Sequence, residues 1–428
     1  MEIFYPSTHP LYGSIRPPGD KSISHRAIML GAIAKGTTYI DNFLNADDCR
    51  KTINVFSELG VKVEHDNTHV RIHGREINTF QTPSQSLYVG NSGTTARLTL
   101  GILSGFPKPA TVTGDPSLSK RPMDRILTPL KQMGVKANGR GRAETLPVTI
   151  QGGTLTGIHY KLPVKSAQVK SAILLAGLFA STPTKVIEPI QTRDHTENML
   201  RAFGADIQRK DKCIHISNKY ALKAQSIQVP GDLSSAAFLL GAAAIIPNSS
   251  ITIKNMGLNP TRSGFIDCLK EMGAKLDIHH VQKTNGELTG HVTLTYRPLR
   301  GITIEGEIIP RLIDEIPIIA LIATQAKGKT IIRHAEELRI KETDRIEAIA
   351  HTLTTLGASI LQTNDGFHID GETTLSGGKV SAFADHRMAM MVVIASKIAK
   401  NPVIIDDISS INISYPDFFS DLAYLNQG

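Results

Sequence analysis

Residues 17–27 read PPGDKSISHRA, and residues 229–238 read VPGDLSSAAF. In both, a proline–glycine turn runs through Asp into a serine cluster and then into a run of small apolar residues. That order marks a strand-to-helix junction, where an Asp or Ser side chain caps the first helical N–H groups. The two stretches are the strongest internal echo in the chain. They read as equivalent points of two related halves.

Working outward, the same junction recurs. Polar clusters open small-residue helices at Ser22, Thr94, Ser166, Ser234, Asp314 and His386, at intervals of 72, 72, 68, 80 and 72. A second series marks helix ends, FSELG, LKQMG, LRAFG, LKEMG and LTTLG, closing on Gly60, Gly134, Gly204, Gly273 and Gly357. Glycine just past a helix supplies the left-handed C′ position. The last copy, LAYLNQG, closes on Gly428. Both series are long between Gly273 and Asp314, which places an insertion at HHVQKTNGELTGHVTLTYRPLRG. Each repeat reads as cluster, helix, strand, second polar segment, helix, Gly, strand. Repeats of this length imply an α/β architecture of six units. The last helix has no strand after it, so residues before Gly19 are expected to supply missing strands. Taking the echoes as crossovers gives one lobe of residues 1–19 plus 231–428, holding both termini, and a second of 20–230. Units this long can bury a core in threes, which favours two lobes over a continuous solenoid.

Composition narrows the function. The 428 residues carry 47 Lys and Arg against 39 Asp and Glu, a net charge of +8 that attracts anions. Aromatics are only 5% and Trp is absent, a poor supply for stacking on nucleic-acid bases. The basic residues are spread along the chain, whereas a nucleic-acid arm would be a block. The longest apolar run, 236–246, is well short of the roughly 20 residues a membrane span needs. The N-terminal residues show no secretory pattern, and Cys49, Cys213 and Cys268 form no pair motif; both features suit a cytoplasmic protein with reduced thiols.

The clusters sit at predicted helix N-termini, where unpaired N–H groups and the dipole favour anions. Gly19-Asp20-Lys21-Ser22 is not a nucleotide P-loop, because Asp20 separates Gly from Lys and Gly13 is misplaced. A lysine at a helix start, Lys21, beside Arg26 can still hold a phosphate as a point charge. Gly93 lets a ligand approach backbone, and Lys120 and Arg121 precede a helix that Pro122 starts. Arg193 to Glu197 opens a helix with alternating charge, an ordinary salt-bridge pattern on its own. Lys341 and Arg345 fall at i, i+4 on one predicted helix face, with Glu342 beside them. Asp314 and Glu315 interrupt an apolar run, and carboxylates there need partners. Asp385-His386-Arg387 lacks a second ligand at metal spacing, so no metal site is expected. Ser234 and Ser235 have no neighbouring cation in sequence and read as plain caps.

Taken together and in order, GDKSxxxR, GNSGTTxR, the RPM segment, SAQxKSA, RDHTE, NPTR, KETDR and DHR resemble the 5-enolpyruvylshikimate-3-phosphate synthase family over nearly the whole chain. RDHTE, SAQVK and NPTR resemble its second class, whose members include forms less sensitive to glyphosate. The resemblance implies two lobes of three βαβαββ units each, an inside-out α/β barrel, closing on substrate. It implies transfer of the enolpyruvyl group of phosphoenolpyruvate to the 5-hydroxyl of shikimate-3-phosphate through a tetrahedral intermediate, with release of phosphate. Neither metal nor cofactor is implied, and the partners are the two small substrates, without nucleic acid or membrane, for a monomer.

By motif, the resemblance gives Lys21, Ser22, Arg26, Ser166, Ala167, Gln168, Arg193, Asp314 and Lys341 to shikimate-3-phosphate. It gives Lys21, Gly93, Arg121, Gln168, Arg345 and Arg387 to phosphoenolpyruvate. Lys21, Asp314 and Glu342 are the implied catalytic groups, Asp314 serving the attacking hydroxyl and Glu342 the methylene carbon. Many relatives carry a lysine just before the final Ser/Thr-aromatic-Pro segment; here that stretch is Asn412-Ile413-Ser414-Tyr415-Pro416. Members insensitive to glyphosate can carry Ala where this chain has Gly93. The nearest rival is the UDP-N-acetylglucosamine enolpyruvyl transferase family, which needs a cysteine near the Arg121 segment; 114–123 contains none. A non-catalytic α/β repeat protein binding nucleic acid is the alternative of another class, and it gives no role to Asp314 and Glu342.

Overall fold

A computed structural model describes residues 1–217 and 221–427. The chain divides into two compact units. The central unit is Gly19–Val229 together with Thr284–Glu287, and the terminal unit is Met1–Pro18, Pro230–Lys283 and Leu288–Gly428. Each has its own apolar core.

Six small sheets and two series of helices repeat one plan, three repeats to a unit. The first series is α1 (Lys21–Ile33), α3 (Gly93–Leu103), α5 (Ala167–Gly177), α7 (Leu233–Ile245), α10 (Ile316–Gln325) and α12 (His386–Ile398). The second is α2 (Asp47–Glu58), α4 (Asp124–Gln132), α6 (His195–Ala202), α8 (Gly264–Glu271), α11 (Arg345–Thr355) and α13 (Phe418–Leu425), with a single turn, α9 (Ile309–Leu312), before α10. The five closing glycines within the described residues have φ between +85° and +105°, the left-handed region the sequence series anticipates. Gly428 lies outside the described residues.

In each sheet a strand entering a cluster runs parallel to a strand leaving a first-series helix, its own in four of the six, and a hairpin completes five of the six. Two entering strands are exchanged. Tyr12–Ile15 precedes α1 but pairs with Ser250–Gly257, after α7. Ser226–Gln228 precedes α7 but pairs with Gly36–Asp41, after α1. In the sixth sheet Glu2–Phe4 lies antiparallel to Val403–Ile405, filling the place the C-terminal helix leaves without a strand. The predicted insertion is a hairpin of ten- and nine-residue strands, Lys275–Thr284 and Glu287–Thr295, against four to seven residues in the other hairpins.

The first-series helices form the centre of each unit. α3 packs on α5, and α7 on α10 and α12. Every residue of α7 is buried, its two serines included, as a helix apolar over the rest of its length requires. Small residues set how close these helices come. A Cβ at Gly101 would stand 2.6 Å from the Ala172 carbonyl oxygen, and one at Gly241 would stand 2.5 Å from Ile318 Cγ1. Among the described residues no helix is long and apolar enough to cross a membrane.

Three local expectations are corrected. Lys341-Glu342-Thr343 is not helical: α11 starts at Arg345, because Asp344 caps it by accepting from Ile346 and Glu347 N–H. Arg193 and Asp194 likewise precede α6, which opens at His195. Pro122 does not start a helix; α4 opens at Asp124, after a short 3₁₀ turn over Leu118–Lys120.

Candidate functional site

In the central unit the helix caps do what the sequence asks. Asp20 accepts from Ile23 N–H, Ser92 from Thr95 N–H and Ser166 from Val169 N–H, which fixes the starts of α1, α3 and α5. Each such cap contributes about 1 kcal/mol. They also fix the functional side chains that follow. Lys21, the first residue of α1, holds Asp48 of α2 with its ammonium at 3.1 Å. Arg26, one turn on, is 5% exposed. Its Nε donates to Thr196 Oγ1 at 2.7 Å, Nη2 to Ser171 Oγ at 3.1 Å and Nη1 to Ser22 O at 2.9 Å. Burial lowers its pKa to about 10, against the opposing pull of Glu197 and Asp20, so it stays cationic at neutral pH.

A second group surrounds Gly93. A Cβ there would lie 3.0 Å from Arg97 Nη1 and 3.5 Å from Arg121 Nη1. Arg121 donates to Asn91 Oδ1 at 2.7 Å, and Asn91 Nδ2 donates to Asp115 Oδ2 at 2.7 Å. Arg97 donates to Gln168 Oε1 at 2.6 Å, and Gln168 Nε2 donates to Thr94 Oγ1 at 3.1 Å. Two guanidinium groups thus stand beside the backbone of a capped helix start, a ready anion site. Ser166, Ala167 and Gln168 lie together at the start of α5.

The residue before Arg193, Thr192, is fixed by a buried ionic group. Lys170, wholly buried, pairs with Glu188 at 3.0 Å and Glu197 at 2.8 Å and donates to Thr192 O at 3.3 Å. Glu188 accepts from Thr192 N–H at 2.9 Å. Burial would raise the Glu188 pKa, but Lys170 and these hydrogen bonds hold it below the usual carboxylate range.

In the terminal unit five site residues form one linked group. Asp314 Oδ1 lies 3.4 Å from both Lys341 Nζ and Arg345 Nη1, and Arg387 Nη1 donates to Asp314 O at 3.2 Å. Arg345, 1% exposed, donates Nη2 to Glu342 Oε2 at 2.6 Å and Nε to Asp385 Oδ2 at 2.8 Å. Burial would lower the Arg345 pKa; Asp385, Glu342 and Asp314 outweigh it and raise it. Asp385 also caps α12 through Arg387 N–H at 2.9 Å. Arg345 thus spends four of its five N–H groups on three carboxylates. Among the described residues the Arg387 guanidinium makes one hydrogen bond, leaving it the larger donor capacity for an anion.

Sequence reasoning missed several members. Arg97 stands in the quoted GNSGTTxR pattern, yet its link to Gln168 spans 71 positions. Asp232 caps α7 by accepting from Ser234 N–H at 2.9 Å, so Ser234 is not the cap the sequence suggests. The Ser234 hydroxyl accepts from Arg262 Nη2 at 2.6 Å and donates to Glu315, which is fully buried and 3.9 Å from Arg387 Nη1. The cation absent from the Ser234 neighbourhood in sequence is supplied by the NPTR segment. Among the described residues no group of His, Cys, Asp or Glu is placed to hold a metal ion.

The comparisons with known proteins agree in direction. The family model described as EPSP synthase (3-phosphoshikimate 1-carboxyvinyltransferase) matches residues 6–422. A protein of Oceanobacillus iheyensis named 3-phosphoshikimate 1-carboxyvinyltransferase is 51% identical over 417 residues, 97% of each chain. One of the same name from Bacillus subtilis is 50% identical over 418 residues, 97% of this chain and 98% of the other. A solved EPSP synthase from Acinetobacter baumannii superposes with a TM-score of 0.88 at 41% identity, over 99% of this chain and 97% of that one. With matching extending from the first repeat to the last, the chain belongs to the EPSP synthase family.

Proposed function

We propose that this protein transfers the enolpyruvyl group of phosphoenolpyruvate to the 5-hydroxyl of shikimate-3-phosphate and releases inorganic phosphate, a step of the shikimate pathway. The observation that carries the reading is the terminal-unit group: two carboxylates, Asp314 and Glu342, held by the same buried Arg345 but in different surroundings. Addition of an alcohol to an enol ether needs two proton movements, and two carboxylates with different partners can divide them.

In the first step the O5–C2 bond forms, the hydroxyl proton passes to Asp314, and the methylene carbon takes a proton from Glu342. The product is a tetrahedral ketal phosphate. In the second, the new methyl group returns its proton to Glu342, the C2–O bond to phosphate breaks as the proton held on Asp314 passes to the departing phosphate, and the C=C bond re-forms to give the enol ether product. Lys341 and Arg345, each 3.4 Å from Asp314 Oδ1, fix the carboxylate that faces the hydroxyl. Arg387 holds the phosphoenolpyruvate carboxylate, with one remaining N–H of Arg345 assisting; a planar fork suits that task better than an ammonium. Arg121, Gly93 N–H and Lys21 receive its phosphate, with Arg97 holding Gln168 alongside. Lys21, Ser22 and Arg26 hold the acceptor carboxylate, and Ser166, Ala167, Gln168 and Arg193 the 3-phosphate region. Asp314 and Lys341 hold the ring hydroxyls.

The protein acts as a cytoplasmic monomer on these two metabolites, without nucleic acid. The test is phosphate release from purified protein given both substrates and each alone. Release requiring both supports the reading. Release with UDP-N-acetylglucosamine in place of shikimate-3-phosphate would move the chain to the rival transferase. The thiols speak against that outcome: Cys49 and Cys268 are buried, and burial, with Glu271 and Asp267, pushes the Cys268 pKa up to about 12.

A further inference from the structure

The inserted hairpin has no part in the chemistry so far, yet its turn belongs to the central unit. Asn285 and Gly286 have φ of +51° and +86°, the pair a tight two-residue hairpin loop requires. A Cβ at Gly286 would meet Asn198 of α6 at 3.4 Å, so the turn lies directly on that helix. Glu287, at the end of the turn, is 4% exposed. Its Oε1 accepts from His195 Nδ1 at 2.9 Å and from Asn198 Nδ2 at 3.3 Å. His195 is itself 2% exposed. The next residue, Thr196, accepts from Arg26 Nε at 2.7 Å and lies 2.7 Å from Ser171 Oγ. A buried carboxylate is retained at such a place only when its partners are fixed. Here they are the first turn of the helix that orients Arg26.

We infer that Glu287 is a positioning residue for the acceptor substrate, setting the Arg26 guanidinium through His195 and the first turn of α6. The inference rests on the proposed role of Arg26 at the shikimate-3-phosphate carboxylate. It assigns the extra length of the fourth repeat a task in recognising one substrate and not the other. The Glu287 charge also adds to those that support the Arg26 cation against burial.

Steady-state kinetics with each substrate varied, and calorimetric binding of shikimate-3-phosphate alone, test it. In Glu287→Ala the KM and Kd for shikimate-3-phosphate rise about three- to tenfold, while KM for phosphoenolpyruvate stays within about twofold. Thr196→Val shows the same selective loss. The double variant loses less than the product of the two, because both act through one contact. Glu287→Gln, which keeps an oxygen acceptor for His195 and Asn198, recovers most of the affinity. A rise shared equally by both substrates, multiplicative effects in the double variant, or unchanged acceptor affinity in Glu287→Ala overturns the inference. If that variant does not fold, Thr196→Val decides, and unchanged acceptor affinity there also overturns it. Absence of phosphate release by the wild-type protein strikes the proposed function instead, a result distinct from any of these.

Discussion

Replacing Gly93 by Ala separates two effects of opposite sign. Gly93 is the first residue of α3, and its φ lies outside the left-handed region, so an L-residue fits the backbone. Removing glycine's extra freedom in the unfolded chain stabilises by about 0.4–1 kcal/mol. The new methyl, however, would stand 3.0 Å from Arg97 Nη1, closer than ordinary van der Waals contact, with Leu118 Cδ1 behind it at 3.7 Å. The guanidinium is the movable partner, so it gives way by a few tenths of an ångström. It is also the group that holds Gln168 at 2.6 Å beside Arg121. A hydrogen bond to a charged group contributes about 1.5–3 kcal/mol, and misplacing one forfeits about 1–2 kcal/mol of it. That corresponds to a rise of about 5- to 30-fold in KM for phosphoenolpyruvate. Shikimate-3-phosphate KM should stay near wild type, and thermal unfolding should occur at the same temperature or slightly above. Phosphate-release kinetics and a melting curve on one preparation read all three. An unchanged phosphoenolpyruvate KM, or a loss falling on shikimate-3-phosphate, would refute the placement of that phosphate beside Gly93.

Further outcomes follow from the same geometry. Glu342→Gln keeps an acceptor for Arg345 Nη2 but no acidic proton; substrate binding should persist while kcat falls about 10²- to 10⁴-fold, and wild-type turnover would remove Glu342 from the chemistry. Arg387→Lys should raise phosphoenolpyruvate KM with little change for the acceptor, since an ammonium cannot present the paired donors; equal affinity would contradict the carboxylate clamp. His25 is wholly buried, and burial first, then Lys21 and Arg26, holds its pKa well below 6.5. With the folded value depressed, the unfolded state binds the extra proton, so stability is complete above pH 6.5 and declines as pH falls towards the folded value. The decline from this group is about 1 kcal/mol between pH 6.5 and 5.5, and denaturant titrations of His25→Gln should lack it.

The repeat plan was legible because its punctuation is local. A cap residue, a small-residue run and a left-handed glycine each leave a mark within a few positions, and six copies reinforce one another. The grouping of Asp314, Lys341, Glu342, Arg345 and Arg387 was reachable only through the family resemblance, as no spacing rule joins positions 314 and 387. Where local pattern misled, a competing local interaction had won. Lys341 to Arg345 has helix-favouring side chains, but Asp344 captures two N–H groups and starts the helix after itself, so the lysine and arginine converge on Asp314 from loop and helix respectively. Ser234 with Arg262, and Lys170 with Glu188, left no periodic trace, being contacts across 28 and 18 positions fixed by packing. The exchanged strands were equally silent, since either pairing satisfies the same alternation.

That exchange bears on how the polypeptide is made. Glu2–Phe4 and Tyr12–Ile15 leave the ribosome well before their partners, Val403–Ile405 and Ser250–Gly257, which follow hundreds of residues later. At about 5–20 residues per second the earliest strand waits roughly 20–80 s for its mate. Gly19–Val229 is meanwhile contiguous and can condense during elongation. Its counterpart must await the synthesis of Val403–Ile405, with two bare β-edges held in reserve. A bulky N-terminal fusion would therefore impair the portion synthesised last, a vulnerability set by topology and invisible from sequence distance.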